Sequence, residues 1–331
     1  MISYRSLVRM GQVGLLVVVA CCGICNGAIT WNIEFEDVTN NTNVGFDDPV
    51  LGAVRRNTFL SVFGYLNTIL DENGTADILV RSSQTDGSGF LASAGPYFWN
   101  SPNGFQNGFV FDHATTGSDP SGSVPDATVR FDFGYTWNSE TDDPTGSEYD
   151  LVSVALHEIG HTLGFLSLVD ANGKSVISGT DPGVFSVYDS FLERGDGTKL
   201  FGAGGDYLGT PADLTSNDVF FGGPNAKAAN GGSSVKVYAP GAFAQGSSIS
   251  HIQLGIGEVM QYSIGKGVKR RTLLDQEIGI LADIGWTIAG SNAPIPEPAS
   301  VAVWSVLVLA GMVLQRRRAE RQRRSESERC G

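Results

Sequence analysis

The sequence predicts an α+β fold, in which a mixed twisted sheet is backed by two long helices and followed by an irregular, loop-rich C-terminal half. Two observations support this prediction. A strand, a long helix, further strands and a second helix follow one another in the first half of the chain, and the sequence after Gly164 is rich in Gly, Ser, Asn and Asp. A hydrophobic content of 41% with 10% aromatic residues suits a chain of 331 residues with a packed core.

The first elements follow from hydrophobic periodicity. Residues 29–37 alternate as in a half-buried strand, with Ile, Trp, Ile and Phe on one face. Apolar residues then recur at helical spacing over residues 49–70. Further strands are predicted over residues 76–81, 108–112 and 127–133.

Two later helices are placed by their end residues. Tyr149 or Asp150 begins a helix that ends at Gly164, where glycine suits the left-handed C-terminal position. The last helix is predicted over residues 272–283, with Thr272 as its N-cap.

The cysteines and the charge describe the central domain. Three of the four cysteines lie at or before Cys25, and the fourth is Cys330. The domain between them therefore has no disulfide and no thiolate ligand for a metal. The net charge is −13 although arginines cluster at the C-terminal end, so the domain is strongly acidic, which disfavours nucleic acid and anionic polysaccharide as partners.

The N-terminus reads as a secretory signal. Two arginines precede an apolar run over residues 13–24, which is short for a membrane span, and cleavage is expected near Gly27 or Ala28. Residues 18–21 also fit a lipoprotein cleavage site, which leaves that alternative open.

The C-terminus carries a second targeting feature. A Pro-Glu-Pro triplet at residues 296–298 precedes an apolar run over 299–314 and an arginine-rich tail. An ordinary single-pass membrane anchor would have the last two of these features. All three together resemble the PEP-CTERM sorting signal, which implies a transmembrane helix over 299–314, processing by an exosortase-type enzyme, and delivery to the cell surface or matrix.

The segment His157-Glu158-Ile159-Gly160-His161 carries the chemistry. Residues four apart lie on one face of a helix, so His157 and His161 can present two imidazole nitrogens to one metal ion. Glu158 can reach a metal-bound water as a general base. This pattern is typical of zinc-dependent peptidases, the zincins.

The surrounding residues resemble those of metzincin peptidases. In most metzincins a third histidine follows the motif glycine, here Gly164, after two residues, but Ser167 stands at that position. The leishmanolysin-like arrangement places the third histidine after a large insertion, and His251 fits that role. Met260 then corresponds to the methionine turn beneath the metal, and Tyr262, two residues later, to a tyrosine that contacts the zinc or stabilises the oxyanion.

This resemblance implies one catalytic zinc held by His157, His161 and His251, with an insertion over about residues 168–247. A catalytic zinc site usually has three protein ligands and one open position. Glu193 is the alternative third ligand, because another branch of the zincins takes a glutamate from a later helix.

The sequence therefore predicts an exported zinc endopeptidase that acts on protein or peptide substrates. A zinc-bound water would attack the peptide bond with Glu158 as general base, and Tyr262 would donate a hydrogen bond to the oxyanion. The substrate would extend along an edge strand near residues 127–133. The alternatives are a surface or matrix protein with a structural, non-catalytic zinc site, and a polysaccharide-binding matrix component.

Some polar residues have structural interpretations. His113 lacks partners at ligand spacing and is interpreted as structural or as a rim residue. Asp/Gly-rich pieces at 170–173, 195–197 and 204–206 could bind Ca²⁺, although none has EF-hand spacing, and solvated turns are the alternative. The predicted organisation is a signal peptide (1–28), a zinc metallopeptidase domain (29–290) and a C-terminal sorting segment (291–331).

Overall fold

The computed structural model describes residues 27–84, 89–140, 142–253, 255 and 257–289, together with the backbone of residues 16–19. The strands in these ranges are β1 (Leu16–Val19), β2 (Thr30–Phe35), β3 (Thr75–Ser83), β4 (Ala92–Pro96), β5 (Gly104–Gln106), β6 (Ala127–Asp132), β7 (Trp137–Asn138), β8 (Tyr149–Asp150), β9 (Val184–Ser186), β10 (Leu192–Arg194), β11 (Val219–Phe221) and β12 (Val235–Lys236). The α-helices are α1 (Glu36–Thr39), α2 (Gly52–Ile69), α3 (Phe109–Thr116), α4 (Leu151–Thr162), α5 (Pro224–Ala229) and α6 (Asp275–Asp283).

The main sheet is mixed and has the strand order β1-β2-β3-β6-β4. Strands β2, β3 and β6 run parallel to one another, whereas β1 and β4 are antiparallel to their neighbours. Together with the two longest helices, α2 and α4, this sheet confirms the predicted α+β fold.

Aromatic side chains join helix α2 to the sheet. The rings of Phe63 on α2 and Trp31 on β2 lie 5.0 Å apart between centroids, and Phe59 on α2 contacts Phe131 on β6 at 5.8 Å. All four side chains are buried. Helix α4 packs against α2 and against β4, so it lies beside the outermost strand on that side of the sheet.

The strongly periodic segments fold as predicted. Strand β2 buries Trp31, Ile33 and Phe35 on one face, as its alternation indicates. Helix α2 and strands β3 and β6 lie within the ranges predicted for them, to within a few residues at each end. Asp150 is the N-cap of α4, and its carboxylate accepts the backbone N–H of Ser153 at 3.0 Å.

The prediction of a strand over residues 108–112 is wrong, because this segment begins helix α3. Phe109, Val110, His113 and Ala114 are its buried residues, and they recur at helical rather than strand spacing. The five-residue window is too short to show this period.

The last helix also begins later than predicted, and Thr272 is not its N-cap. Leu274 occupies that position instead. The Glu277 carboxylate accepts the backbone N–H of Leu274 at 2.8 Å, so Glu277, at the third helical position, caps the start of the helix.

Strand β6 is not an edge strand, which corrects the predicted position of the substrate near residues 127–133. It pairs with β3 on one side and with β4 on the other. Within the part of the chain that the structure describes, β4 is the outermost strand on this side of the sheet.

The insertion consists of turns and very short elements. Strands β10, β11 and β12 form a small antiparallel sheet, and β9 pairs in parallel with β5, which precedes the motif helix. Elements of two or three residues leave no periodic pattern in the sequence, so the fold of this segment was not predictable.

No helix among the described residues is long and apolar enough to cross a membrane. The predicted transmembrane helix over residues 299–314, its arginine-rich tail and most of the predicted signal peptide lie outside the described residues.

Candidate metal centre

The structure brings the three predicted histidines together. His157 and His161 lie one turn apart on α4, and His251 comes from a loop ninety residues after His161. The Nε2 atoms of His157 and His161 are 3.1 Å apart, and the Nε2 atom of His251 lies 3.2 Å from each of them. Three imidazole nitrogens therefore converge on one point.

Backbone carbonyls orient all three rings. The Nδ1 atoms of His157, His161 and His251 lie 2.8, 2.8 and 2.7 Å from the carbonyl oxygens of Val259, Phe165 and Ser247. Because a carbonyl oxygen only accepts hydrogen bonds, each Nδ1 carries the proton and each Nε2 carries a lone pair.

This arrangement fits a divalent cation. Burial and the neighbouring imidazoles lower the pKa of His157 well below its usual value. Burial lowers the pKa of His161 to about 4 and that of His251 to about 3. The rings are therefore neutral, and their three lone pairs face one another without a proton between them. Three neutral imidazoles with carbonyl-bound Nδ1 atoms are a typical zinc ligand set.

Glu158 lies beside these ligands in a cavity of about 580 Å³. Its side chain is buried, and Oε2 has no hydrogen-bond partner among the described residues. Desolvation raises the pKa of the Glu158 carboxyl to about 8. A bound cation would oppose this effect by favouring the carboxylate. The position suits a group that exchanges a proton with a molecule in the cavity.

The glycine turn that ends α4 sets the orientation of His161. Gly164 has φ of +94°, which glycine tolerates best. The N–H of Gly164 bonds to the carbonyl of His161, and the N–H of Phe165 bonds to the carbonyl of Gly160, which together form a Schellman motif. The turn thereby brings the carbonyl of Phe165 to His161 Nδ1, and the predicted left-handed glycine is confirmed.

Met260 packs directly under the motif helix. It is fully buried, and its sulfur lies so close to Gly160 that a Cβ atom there would be 2.5 Å from Sδ. The backbone of Met260 donates to the Glu277 carboxylate at 2.7 Å and accepts from the N–H of Ile252 at 2.8 Å. Met260 therefore joins α4, the segment after His251 and helix α6.

Glu277 is a supporting residue that the sequence did not reveal. It is fully buried, and burial raises the pKa of its carboxyl to about 7. In the sequence, Glu277 could be recognised only by its position near the start of the final helix. That position indicates a capping residue but does not reveal the contact with Met260.

A substitution at Gly160 tests this contact. We expect Gly160→Ala to lower the free energy of unfolding by about 1–3 kcal/mol, because the new methyl group must displace the buried Met260 sulfur. Gly64→Ala in α2 is the matched control, since nothing lies within 4 Å of a Cβ atom there. That change should stabilise the protein by about 0.5–1 kcal/mol. Urea unfolding measures both variants, and equal stabilisation by the two would contradict the packing described.

Tyr262 lines the same cavity, and its ring is half-buried. It stacks on Tyr238 with 3.8 Å between ring centroids and 14° between ring planes. This stacking holds the tyrosine at the cavity wall on the segment that follows Met260.

Polar contacts join the two ends of the insertion behind the site. The N–H of Ser167 donates to the hydroxyl of Ser250 at 3.1 Å, next to His251. The buried carboxylate of Asp189 accepts the N–H groups of Leu168 and Ser186, each at 3.0 Å. Ser167, the residue found where a compact motif would carry histidine, thus joins the loop after α4 to the loop of the third histidine.

The alternative third ligand is occupied elsewhere. Glu193 on β10 lies 3.1 Å from the ammonium nitrogen of Lys199 and 2.9 Å from that of Lys227. Ser234 also donates to it at 2.7 Å. These two ion pairs and this hydrogen bond engage both oxygens of the Glu193 carboxylate within the insertion. Glu193 is therefore not a ligand alongside the three histidines.

His113 lies in a separate polar group. Its Nδ1 atom is 2.8 Å from a carboxylate oxygen of Asp126 and 3.8 Å from one of Asp77. These three residues could by spacing hold an ion, but Asp126 also accepts the N–H of Asp77 at 2.8 Å. The hydrogen bonds join α3 to the main sheet and agree with the structural interpretation of His113.

The three Asp/Gly-rich pieces form turns. Asp170 accepts the N–H groups of Asn172 and Lys174, each at 2.8 Å, and Asp196 accepts that of Thr198 at 2.9 Å. Asp206 follows Gly205, whose φ is +75°. Nothing in their geometry supports the calcium prediction.

The fold and site together define a protein with three histidines that could hold one metal ion and an adjacent carboxyl group in an open cleft, which is the arrangement of zinc hydrolases. The Matrixin family of peptidases matches residues 102–171, which include His157, Glu158 and His161 but end before His251. No curated protein and no solved structure shows significant similarity to the chain. The Matrixin match and the histidine geometry support a metzincin-type zinc metallopeptidase, and the leishmanolysin-like arrangement stays a prediction.

Proposed function

We propose that the protein is an exported zinc endopeptidase with Glu158 as general base. The observation that carries this proposal is the convergence of three Nε2 atoms beside a buried, unpartnered carboxylate oxygen in a cavity open to substrate. A purely structural zinc site is normally closed by a fourth protein ligand, and among the described residues no fourth His, Cys, Asp or Glu has a ligand atom within 4.8 Å of all three histidine nitrogens.

The residues of the chain would act as follows. His157, His161 and His251 would hold Zn²⁺, which when bound acidifies water and polarises a carbonyl group. Glu158 would accept one proton from the attacking water and deliver it to the leaving nitrogen, so that the carboxyl group ends as it began. Tyr262 would donate its hydroxyl proton in a hydrogen bond to the oxyanion, because it lies on the same cavity wall.

The cleft would bind the substrate along strand β4. Residues 89–94 line the cavity on one side, and β4 has β6 on its other side. An extended peptide can add to a free strand edge through backbone hydrogen bonds, which are independent of its side chains. The substrate would therefore pair with β4, the outer neighbour of the strand near residues 127–133.

The site would work outside the cytoplasm. The basic and apolar N-terminal segment supports export, and the Pro-Glu-Pro triplet with its apolar run and arginine-rich tail supports anchoring in the membrane before processing by an exosortase-type enzyme. The product would remain at the cell surface or in the matrix.

Metal analysis combined with a protease assay tests the proposed activity. We expect the full chain to bind one equivalent of zinc and to cleave casein or an unstructured peptide internally. Removal of zinc with 1,10-phenanthroline should abolish cleavage, and added zinc should restore it. One tightly bound zinc without any hydrolysis would instead support the structural-zinc alternative. Glycan retention by the zinc-free protein would support a polysaccharide-binding role.

A further inference from the structure

The cavity wall carries a cationic side chain, that of Arg270. Arg270 is the one Lys or Arg among the described residues that line it, in a chain whose net charge is −13. Its backbone N–H donates to the Ser153 hydroxyl at 2.6 Å, one turn of α4 before His157. Its guanidinium Nη1 donates to the carbonyl of Ser263 at 3.1 Å. The guanidinium therefore belongs to the wall between α4 and the Tyr262 segment.

Arg270 differs from three other arginines of this fold. Arg81, Arg194 and Arg271 each contact a carboxylate within 3.1 Å. No carboxylate of the described residues lies within 4 Å of the Arg270 guanidinium, although the side chain is only partly exposed. A half-buried guanidinium with several unused N–H donors is best stabilised by an anion.

The acidic groups that attract Arg270, Glu258 and Glu277, have other partners. Glu277 accepts the backbone N–H groups of Met260 and Leu274. Glu258 accepts the side-chain amide of Gln261. Both carboxylates attract Arg270 only at longer range, so the guanidinium remains available to a molecule in the cleft.

The remaining wall around Arg270 is mostly apolar or uncharged. Tyr149, Val154 and Ile264 line the same cavity, and Glu158 is the one acidic residue among its described lining residues. An apolar setting strengthens an ion pair between a guanidinium and a carboxylate, which also match in planar, two-pronged geometry.

We propose that the cleft selects a substrate carboxylate next to the scissile peptide bond and binds it through the guanidinium of Arg270. This inference rests on the proposed peptidase function and adds a substrate class to it. The carboxylate could belong to an Asp or Glu side chain of the substrate or to its C-terminus. The first source predicts an endopeptidase that cuts beside acidic residues, and the second predicts release of C-terminal residues.

Matched peptides separate these sources. One set carries Glu or Gln at each of the two positions on either side of the cleaved bond, with both ends blocked. A second set carries Gln throughout and has either a free or an amidated C-terminus beside the bond. With the zinc-loaded full chain, we expect kcat/KM to be about tenfold higher for the carboxylate member of one pair. Ratios near one in every pair would overturn the proposal.

Variants then assign the preference to Arg270. Arg270→Gln should bring the ratio within the preferred pair close to one, and Arg270→Glu should favour Lys over Glu at that position. Lys269→Gln is the matched control, because Lys269 is exposed and pairs with Asp143 away from the cavity lining. It should keep the ratio of the unmodified protein. A preference that survives Arg270→Gln would overturn the proposal.

Binding provides a readout that does not depend on turnover. The Glu158→Gln variant, loaded with zinc, should bind the preferred carboxylate peptide about tenfold more tightly than its neutral partner by calorimetry. This difference should disappear when Arg270→Gln is added. If the protein holds zinc and cleaves no peptide, the peptidase proposal fails, whereas equal binding of both peptides contradicts the role of Arg270 alone.

Discussion

Replacing Glu158 with glutamine is expected to lower kcat for peptide hydrolysis by about 10²–10⁴-fold, which is the usual contribution of a general base. Glutamine keeps the size and shape of the side chain but cannot accept the proton of the attacking water. Zinc content should remain at one equivalent, because the three converging nitrogens belong to the histidines. KM should change little, because the proposed backbone contacts along β4 do not involve this carboxylate.

Steady-state kinetics with a fluorogenic peptide, together with metal analysis, measures this effect. Glu140→Gln is the matched control, because it makes the same chemical change at an exposed position that is not among the residues lining the cavity. A Glu158→Gln protein with a kcat close to that of the control would show that another group moves the proton.

Replacing His251 with alanine is expected to weaken zinc binding by more than about 100-fold. Loss of an outer partner of a ligand already costs about 10–100-fold in affinity, and removal of the ligand itself should cost more. The change would leave His157 and His161 facing each other with two nitrogens for the metal. Peptidase activity at limiting zinc should fall with the zinc content.

The control for this variant is His113→Ala, which removes a buried histidine that bonds to Asp126 rather than to the three-histidine group. It should retain one equivalent of zinc. Competition with a chromophoric zinc chelator measures both affinities. An unchanged affinity in His251→Ala would mean that a different residue completes the site, and the late third histidine would then be wrong.

Local sequence patterns predicted the helices and strands that are long enough to show a clear signal. Strand β2 and helix α2 span enough residues for alternation or helical spacing to be visible, and helix α4 was placed by its end residues. Helix α3 was missed because residues 108–112 contain only the first half of its buried stripe. The two- and three-residue strands of the insertion depend on tertiary pairing and have no local signal.

The candidate site, like the fold, was predictable only where its residues lie close together in the sequence. His157, Glu158 and His161 lie within five residues, so their geometry follows from the helix alone. The place of His251 came from a family resemblance, and no local rule brings a residue ninety positions away to the same point. Glu277 and Arg270 were not identified, because their roles depend on packing between the last helix, the Met260 segment and α4.

Because ninety residues separate His161 from His251, a zinc ion bound to both, as proposed, would be a cross-link as well as a catalyst. Closing a flexible loop of that length costs about 4 kcal/mol of chain entropy. The folded insertion already holds the three imidazoles together, so this entropy would not be lost again when an ion binds. Between residues 26 and 329 the chain has no cysteine, so zinc would take the place that disulfides hold in many exported domains. For the exported protein proposed above, metal supply would then govern resistance to proteolysis together with activity.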